Sequence, residues 1–252
     1  MQFVDTHCHI HEGDYAFDAN ETITRANAAG VQKLIVVGTS AQDSAQTVAF
    51  AAAHDNVWAS VGLHPHDAKF GTEAFDALAT LAGKPKVVAI GECGLDYFYN
   101  HSSKTDQIKA LEFQMQLAKD HNLPMIFHVR DAFDDFWPIF DRFEGLRGVI
   151  HSFTATNTEL EQALRRGLYI GLNGIMTFTK DQNQLLAAKG VPLDKLLLET
   201  DAPFLTPAPV RGTVNEPKNV VLTAEFLSNL RGESLVQVAE ATSQNAQKLF
   251  GI

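Results

Sequence analysis

The sequence has little that would indicate a secreted or membrane-spanning protein. It contains only two cysteines among 252 residues, which argues against a disulfide framework and favours a reducing compartment. No apolar run approaches the roughly 20 residues that span a bilayer. No basic segment followed by an apolar one opens the sequence, so a signal peptide is not expected. We therefore expect a soluble protein of the cytoplasm that does not engage a membrane.

The sequence is also short of positive charge and of nucleotide-binding glycine motifs. Lys and Arg number 20 against 30 Asp and Glu, which gives a formal net charge of −10. This balance argues against a protein that coats nucleic acid through bulk charge. It leaves open a nuclease whose positive charge is supplied by bound metal ions. No Gly-x-Gly-x-x-Gly follows the first predicted strand, so a dinucleotide-binding sheet is disfavoured.

What the sequence does have is a regular alternation of short apolar runs and helix-type segments. Most runs are continuous, as in strands that are covered on both faces. They fall at residues 3–9, 34–37, 57–62, 87–90, 124–127, 148–150, 169–172 and 196–198. Eight strands alternating with helices predict an α/β protein, a (β/α)8 TIM barrel that forms a single domain over residues 1–252. An open doubly wound sheet is the alternative.

The first predicted strand carries two histidines that are spaced to share one face. Side chains alternate along a strand, so His7 and His9 point the same way and can bind one cation. Asp5 shares that face, and we expect it to orient a ligating histidine. The motif alone is weak, because two such histidines are compatible with an ordinary strand.

Later strands end in further residues of the metal-ligand type. The carboxyl ends of the strands of such a barrel meet at one rim, so these side chains are expected to gather there. One divalent ion is expected on His7, His9, Glu92 and Asp201, and a second on His128 and His151, with Glu92 bridging the two. Imidazole and carboxylate ligands favour Zn, Mn or Fe, with Mg as a weaker choice.

Two such ions would lower the pKa of a bound water and neutralise charge on a phosphate. Asp201 is the expected general base, and Glu92 is counted with it as catalytic. Arg130 follows His128 by two residues, and its planar fork suits a phosphate. A salt bridge from Arg130 to Asp131 or Asp96 is the alternative.

Two further histidines follow the third predicted strand. His64 and His66 are expected to bind the next phosphate or to donate a proton to a leaving oxygen, which makes His64 a catalytic candidate and His66 a substrate-binding one. The alternative for His64 is a structural cap of the turn before Pro65. Glu199 is expected to support a ligand rather than to be one.

Six stretches, taken together, resemble the TatD family of metal-dependent deoxyribonucleases, which belongs to the amidohydrolase-like barrels. They are residues 5–9, 62–66, 91–97, 128–130, 151–153 and 198–205. The resemblance implies a two-metal phosphodiesterase that removes nucleotides from the ends of DNA, and we expect it to act on single strands or on ends. It implies the same two ligand sets as those deduced above. We expect a nucleic acid substrate and favour a monomer.

The sequence departs from the family pattern after the last predicted strand. The family often has a basic loop, Arg-Gly-Lys-Arg-Asn-x-Pro, and this chain has Thr213 and Val214 at the two middle cations. Arg211 and Asn215 remain, and the resemblance makes them candidates for substrate binding. With fewer cations, affinity for long substrates is expected to be weaker and less dependent on salt.

Two other functions stay open on the sequence alone. The first is hydrolysis of another ester or amide, such as an aminoacyl ester on tRNA or a small amide. Many two-metal amidohydrolases use a modified Lys as the bridge, and here Glu92 ends the corresponding strand. The second is a barrel that binds a metal without catalysis, which would leave no open coordination position.

Overall fold

The computed structural model describes residues 1–99 and 101–252. The strands in these ranges are β1 (Phe3–Cys8), β2 (Val31–Val37), β3 (Val57–Val61), β4 (Val87–Asp96), β5 (Met125–Arg130), β6 (Gly148–Ile150), β7 (Tyr169–Leu172) and β8 (Leu196–Leu198). The α-helices are α1 (Ala19–Ala28), α2 (Ala41–Ala53), α3 (Gly71–Ala82), α4 (Lys104–His121), α5 (Phe133–Phe140), α6 (Asn157–Arg165), α7 (Gln182–Gly190), α8 (Val220–Arg231) and α9 (Leu235–Phe250). Of the helices described, none combines the length and the apolar character needed to cross a bilayer.

The strands form one sheet whose spatial order is the chain order, β1 to β8. The residue registers of β1 with β2, β3 with β4, β4 with β5, β5 with β6 and β7 with β8 are all parallel. The end of β1 also pairs with the segment after β8, through a parallel bridge of Cys8 and Ala202. His9 N donates to Ala202 O at 2.7 Å. The predicted (β/α)8 barrel is therefore confirmed, and the open doubly wound sheet is excluded. That residues 1–252 act as one domain stays a prediction.

The residues described pack into two compact units. The first comprises Met1–Val36 and Ser152–Ile252. In it, α9 begins at a capping box formed by Ser234 and Gln237. The helix is tied to the start of β8 by the buried amide of Asn245, which donates to Leu196 O at 2.8 Å. The hydrogen bond satisfies a backbone carbonyl that packing would otherwise leave without water.

The second unit comprises Val37–His151 and is built around β4, whose ten residues are all buried. Two glutamines on the buried face of α4 accept hydrogen bonds from the backbone of β4 and of the segment after β3. Gln107 accepts from Asp96 N at 2.8 Å, and Gln114 accepts from Leu63 N at 2.8 Å. Because an unpaired amide in a core is costly, these bonds hold both backbone segments in place against α4. These two segments carry the candidate site residues His64, His66 and Glu92.

The strands β4 and β5 are longer than the apolar runs that predicted them. The apolar run of β4 ends at Ile90, but the strand continues to Asp96, and β5 continues to Arg130. The polar residues in these extensions have hydrogen-bond partners from other segments, which hydrophobic patterning does not detect. Glu92 and His128 therefore lie within strands instead of following them.

We predict that Gly94→Ala destabilises the protein by about 3 kcal/mol. Gly94 has a φ of 153°, and a Cβ there would collide with the carbonyl oxygen of His128 on β5. Gly145→Ala is the matched control, because Gly145 has a φ of 81° with open space around it, and it should cost only about 1 kcal/mol. Urea unfolding of both variants measures the difference. Equal midpoints would show that the close approach of the two strands is not a constraint.

Candidate metal centre

The first unit brings together two histidines of the β1 end and one carboxylate that follows β8. The Nε2 atoms of His7 and His9 lie 3.1 Å apart. Each faces Oδ1 of Asp201, at 3.5 Å and 3.4 Å respectively. One ligand atom from each of the three residues lies within 4.8 Å of the others. His7 is fully buried, whereas the Asp201 side chain is 16% exposed and so opens the group to solvent.

Asp5 holds this group in place through the backbone. Its carboxylate accepts from Thr200 Oγ1 at 2.5 Å, from Thr200 N at 2.9 Å and from His7 N at 3.3 Å. These bonds tie β1 to the residue that precedes Asp201, and Asp5 reaches the candidate ligand His7 through its backbone N–H. Asp201 itself has a φ of 58°, a left-handed conformation that is uncommon outside glycine. Its N–H donates to His7 O at 2.8 Å, which helps to hold that conformation.

The second unit gathers three imidazoles around one oxygen of Glu92. Oε1 of Glu92 lies 2.8 Å from Nδ1 of His128. It is 3.3 Å from Nε2 of His151 and 3.5 Å from Nε2 of His64. The ligand atoms of His64, Glu92 and His128 lie within 4.8 Å of one another. The carboxylate is buried, so these nitrogen atoms take the place of the water that would otherwise solvate it.

The surroundings keep Glu92 ionised. Burial by itself would raise the pKa of the Glu92 carboxyl, but His151 and His64 and the hydrogen bond from His128 hold that pKa well below its ordinary value. Burial lowers the pKa of His64 by more than Glu92 raises it, so its imidazole is neutral. Burial would lower the pKa of the ligand candidate His128, but its hydrogen bonds with Asp96 and Glu92 raise that pKa above its ordinary value, so an ion bound there would take the place of a proton.

Asp96, which the sequence analysis considered only as a partner of Arg130, becomes a candidate for orienting two histidines. It is fully buried, and its Oδ2 lies 2.9 Å from Nε2 of His128 and 3.1 Å from Nε2 of His66. Burial would raise the pKa of the Asp96 carboxyl, but the bond from His128 and the Tyr99 N–H hold it well below its ordinary value. The signal for this role was its spacing of four residues from Glu92 in one strand.

Arg130 makes neither of the salt bridges considered for it. Its guanidinium carbon lies 4.0 Å from the ring centroid of Phe98 and 5.0 Å from that of Tyr99. No carboxylate of the residues described forms an ion pair with it. The guanidinium is thus held by ring stacking, which leaves its N–H edges available to an anion.

Arg211 and Asn215, the two substrate-binding candidates in the loop after β8, mainly bond other residues of that loop. Asn215 is fully buried, and its amide donates to Thr200 O at 2.9 Å and to Phe204 O at 2.6 Å. Its Oδ1 accepts from Glu216 N at 3.0 Å, so Asn215 holds the backbone around Asp201 and presents no atom to a substrate. Arg211 donates to Thr206 O at 2.8 Å, and its guanidinium carbon lies 3.8 Å from the ring centroid of Phe178.

Glu199 bonds the backbone next to one of the ligand candidates. It is buried, and its Oε1 accepts from Ser152 N at 2.6 Å and from Asn173 Nδ2 at 3.4 Å. Ser152 has a φ of 48° and directly follows His151 in the chain. Glu199 therefore fixes the strained residue next to a ligand candidate.

The donor atoms of both groups fit a divalent cation. They are imidazole nitrogens and carboxylate oxygens without thiolate, a set that suits Zn, Mn or Fe and accepts Mg less well. Cys8 and Cys93 are buried free thiols outside these groups.

Comparison with known proteins agrees with this chemistry. The sequence model of the family described as TatD related DNase matches residues 4–251. The chain belongs to the TatD family. The uncharacterized metal-dependent hydrolase YabD of Bacillus subtilis (strain 168) is 37% identical to it over 251 residues, which cover 98% of both chains. The resemblance noted in the sequence is thereby confirmed.

Two further relatives of the TatD family are close over the whole length. The protein of Citrobacter rodentium (strain ICC168) named 3'-5' ssDNA/RNA exonuclease TatD is 37% identical over 259 residues, covering 98% of this chain and 97% of that protein. The crystal structure of YjjV, a TatD homolog of Escherichia coli K12, matches with a TM-score of 0.93 and 31% identity, covering 99% of this chain and 98% of that one.

We predict that Asp96→Asn weakens Mn²⁺ binding by roughly 10- to 100-fold, because His128 loses the charged partner that orients its ring. Isothermal titration of the chelator-stripped protein measures the affinity, and far-UV circular dichroism checks the fold. Asp135→Asn is the control, since Asp135 is an exposed carboxylate of the same unit that accepts from the Tyr97 hydroxyl. Unchanged affinity in Asp96→Asn would contradict the assigned role.

Proposed function

We propose that the protein is a metal-dependent exonuclease that removes nucleotides from single-stranded DNA or RNA in the 3′ to 5′ direction. The observation that carries the proposal is the convergence of three imidazoles on one buried oxygen of Glu92. The family supports it, since relatives at 34–37% identity bear the name of a 3'-5' ssDNA/RNA exonuclease. The 3′ to 5′ direction and the preference for single strands are inferred from the names of those relatives.

The proposed metal ligands keep the sets expected from the sequence. One ion is assigned to His7, His9, Glu92 and Asp201, and a second to Glu92, His128 and His151. The parallel sheet in chain order supports this assignment, because it directs the carboxyl ends of all these strands to one rim. The contacts of Glu92 Oε1 with His128 and His151 support the second set.

His64 is proposed as a donor to the substrate and not as a ligand. Its Nδ1 accepts from the backbone N–H of His66 at 3.2 Å, so in the neutral ring the proton resides on Nε2. That N–H points to the region of Glu92 Oε1, 3.5 Å away. A phosphate oxygen that approaches Glu92 would therefore meet a hydrogen-bond donor. His66, whose side chain is 30% exposed, is proposed as a second contact.

Bound divalent ions would supply Lewis-acid activation of a water and neutralise phosphate charge. Asp201 accepts the proton of the attacking water, for which its partial exposure leaves access. Arg130 pairs with a neighbouring phosphate through its N–H edges. Arg211 stays a weaker candidate for the backbone of longer substrates, because one of its N–H groups already binds Thr206. Asn215 is left out of the proposed binding set because its side chain is buried and bonded.

Residues 1–252 act as one domain, and the protein works as a monomer in the cytoplasm without a membrane partner. The low positive charge of the chain agrees with a substrate held by a few specific contacts rather than by a basic surface.

We predict stepwise, metal-dependent digestion of a 5′-labelled single-stranded oligonucleotide. The chelator-stripped protein should be inactive and should recover with Mn²⁺, Mg²⁺, Co²⁺ or Zn²⁺. Asp201→Asn should lower the rate by about 10²- to 10⁴-fold, since it removes the proton acceptor. Gel electrophoresis should show a ladder that shortens from the 3′ end.

Asp194→Asn is the control for this experiment, because Asp194 is an exposed carboxylate of the first unit. It should digest at the wild-type rate. Absence of digestion with every metal would contradict the nuclease proposal. Release of the amino acid from aminoacyl-tRNA by the same preparation would then support the ester hydrolase instead.

A further inference from the structure

The segment after β4 presents two large aromatic rings to solvent. Phe98 is 53% exposed and Tyr99 is 42% exposed. Their rings meet edge to face, with centroids 4.7 Å apart and planes at 84°. Burying such rings would stabilise the fold, so their exposure is a feature that the core does not explain.

The backbone that carries the two rings is held by the carboxylate that also bonds two of the candidate histidines. Oδ1 of Asp96 accepts from the backbone N–H of Phe98 and of Tyr99, each at 3.0 Å. Its other oxygen bonds His66 and His128. These bonds place the backbone of both residues next to the metal-ligand candidates of this unit, and the Tyr99 ring lies 5.4 Å from that of His66.

Arg130 adds a cation to this aromatic surface. Its guanidinium stacks 4.0 Å from the Phe98 centroid, and β5 pairs it in register with Asp96. An exposed ring beside a guanidinium is the combination that binds an unpaired nucleotide, since the ring stacks on the base and the cation contacts the phosphate. The acidic composition of the chain makes such stacking more important for affinity, because bulk charge contributes little.

We propose that Phe98, Tyr99 and Arg130 form a base-stacking subsite for a nucleotide next to the phosphate that is cut. The subsite rests on the proposed nuclease function and explains its selectivity. A base in a duplex is already stacked and paired, so only a single strand or a frayed end can occupy the rings. Every base has a π face, so the subsite should tolerate any sequence.

A second exposed phenylalanine of the same unit provides the comparison. Phe70 is 52% exposed, and Nζ of Lys69 lies 5.1 Å from its centroid. It lines a cavity of about 410 Å³ together with Asp67 and Glu73. Two carboxylates there repel a phosphate, so Phe70 resembles Phe98 in exposure and cation contact but should not bind a nucleotide.

The test compares two single-stranded substrates on the metal-loaded enzyme. One is oligothymidylate, and the other is the same oligonucleotide with abasic residues at its 3′ end. Phe98→Ala should raise KM for oligothymidylate about tenfold without changing kcat, and should leave KM for the abasic substrate unchanged. Phe98→Tyr should behave as wild type because it keeps the ring, and so should Phe70→Ala. Fluorescence anisotropy with a phosphorothioate-linked oligothymidylate should show the same loss of affinity.

The results of this test distinguish a wrong stacking subsite from a wrong nuclease proposal. If the wild type digests both substrates and Phe98→Ala alters both equally or neither, the subsite is wrong and the nuclease proposal stands. If the wild type neither binds nor digests either substrate, the nuclease proposal fails and the subsite fails with it.

Discussion

The structure of the second unit depends on the buried negative charge of Glu92. An ionised carboxylate in an interior is stable only when positive charge or hydrogen-bond donors replace its water. Here His64, His128 and His151 supply them from three separate parts of the chain. The same requirement makes the group suitable for a cation, because ligand atoms that converge on one point need a positive centre between them. The same buried carboxylate therefore brings together three segments of the chain and is a candidate metal ligand.

The residues that follow Glu92 organise the space around it. Gly94 pairs with His128 in the β4–β5 register and has no side chain, which allows the two backbones to approach. Asp96 then bonds the far nitrogen of the same histidine. A five-residue stretch therefore provides a candidate ligand, a close approach of two strands and a carboxylate that bonds His128. The exposed rings of Phe98 and Tyr99 follow within three residues, so the candidate ligand and the proposed stacking subsite belong to one continuous piece of chain.

Much of this arrangement could be predicted from the sequence, because the strands and the ligand types leave local patterns. Continuous apolar runs revealed the barrel, and His or acidic residues directly after them revealed the candidate ligands. The contacts of Asn215 and Arg130 could not be predicted, since no local period encodes their partners, whereas the spacing of Asp96 from Glu92 did indicate a shared strand face. Asn215 is buried where an exposed contact was expected, and Arg130 stacks on Phe98 where a salt bridge was considered.

The central claim is that Glu92 bridges two metal ions, and electron paramagnetic resonance of the Mn²⁺-loaded protein tests it most directly. Two ions that share a carboxylate lie about 3.5–4 Å apart, close enough for their spins to couple. The account predicts a spin-coupled signal in the wild type that gives way to the signal of isolated Mn²⁺ in Glu92→Gln. An isolated-ion signal from the fully loaded wild type would contradict the bridge.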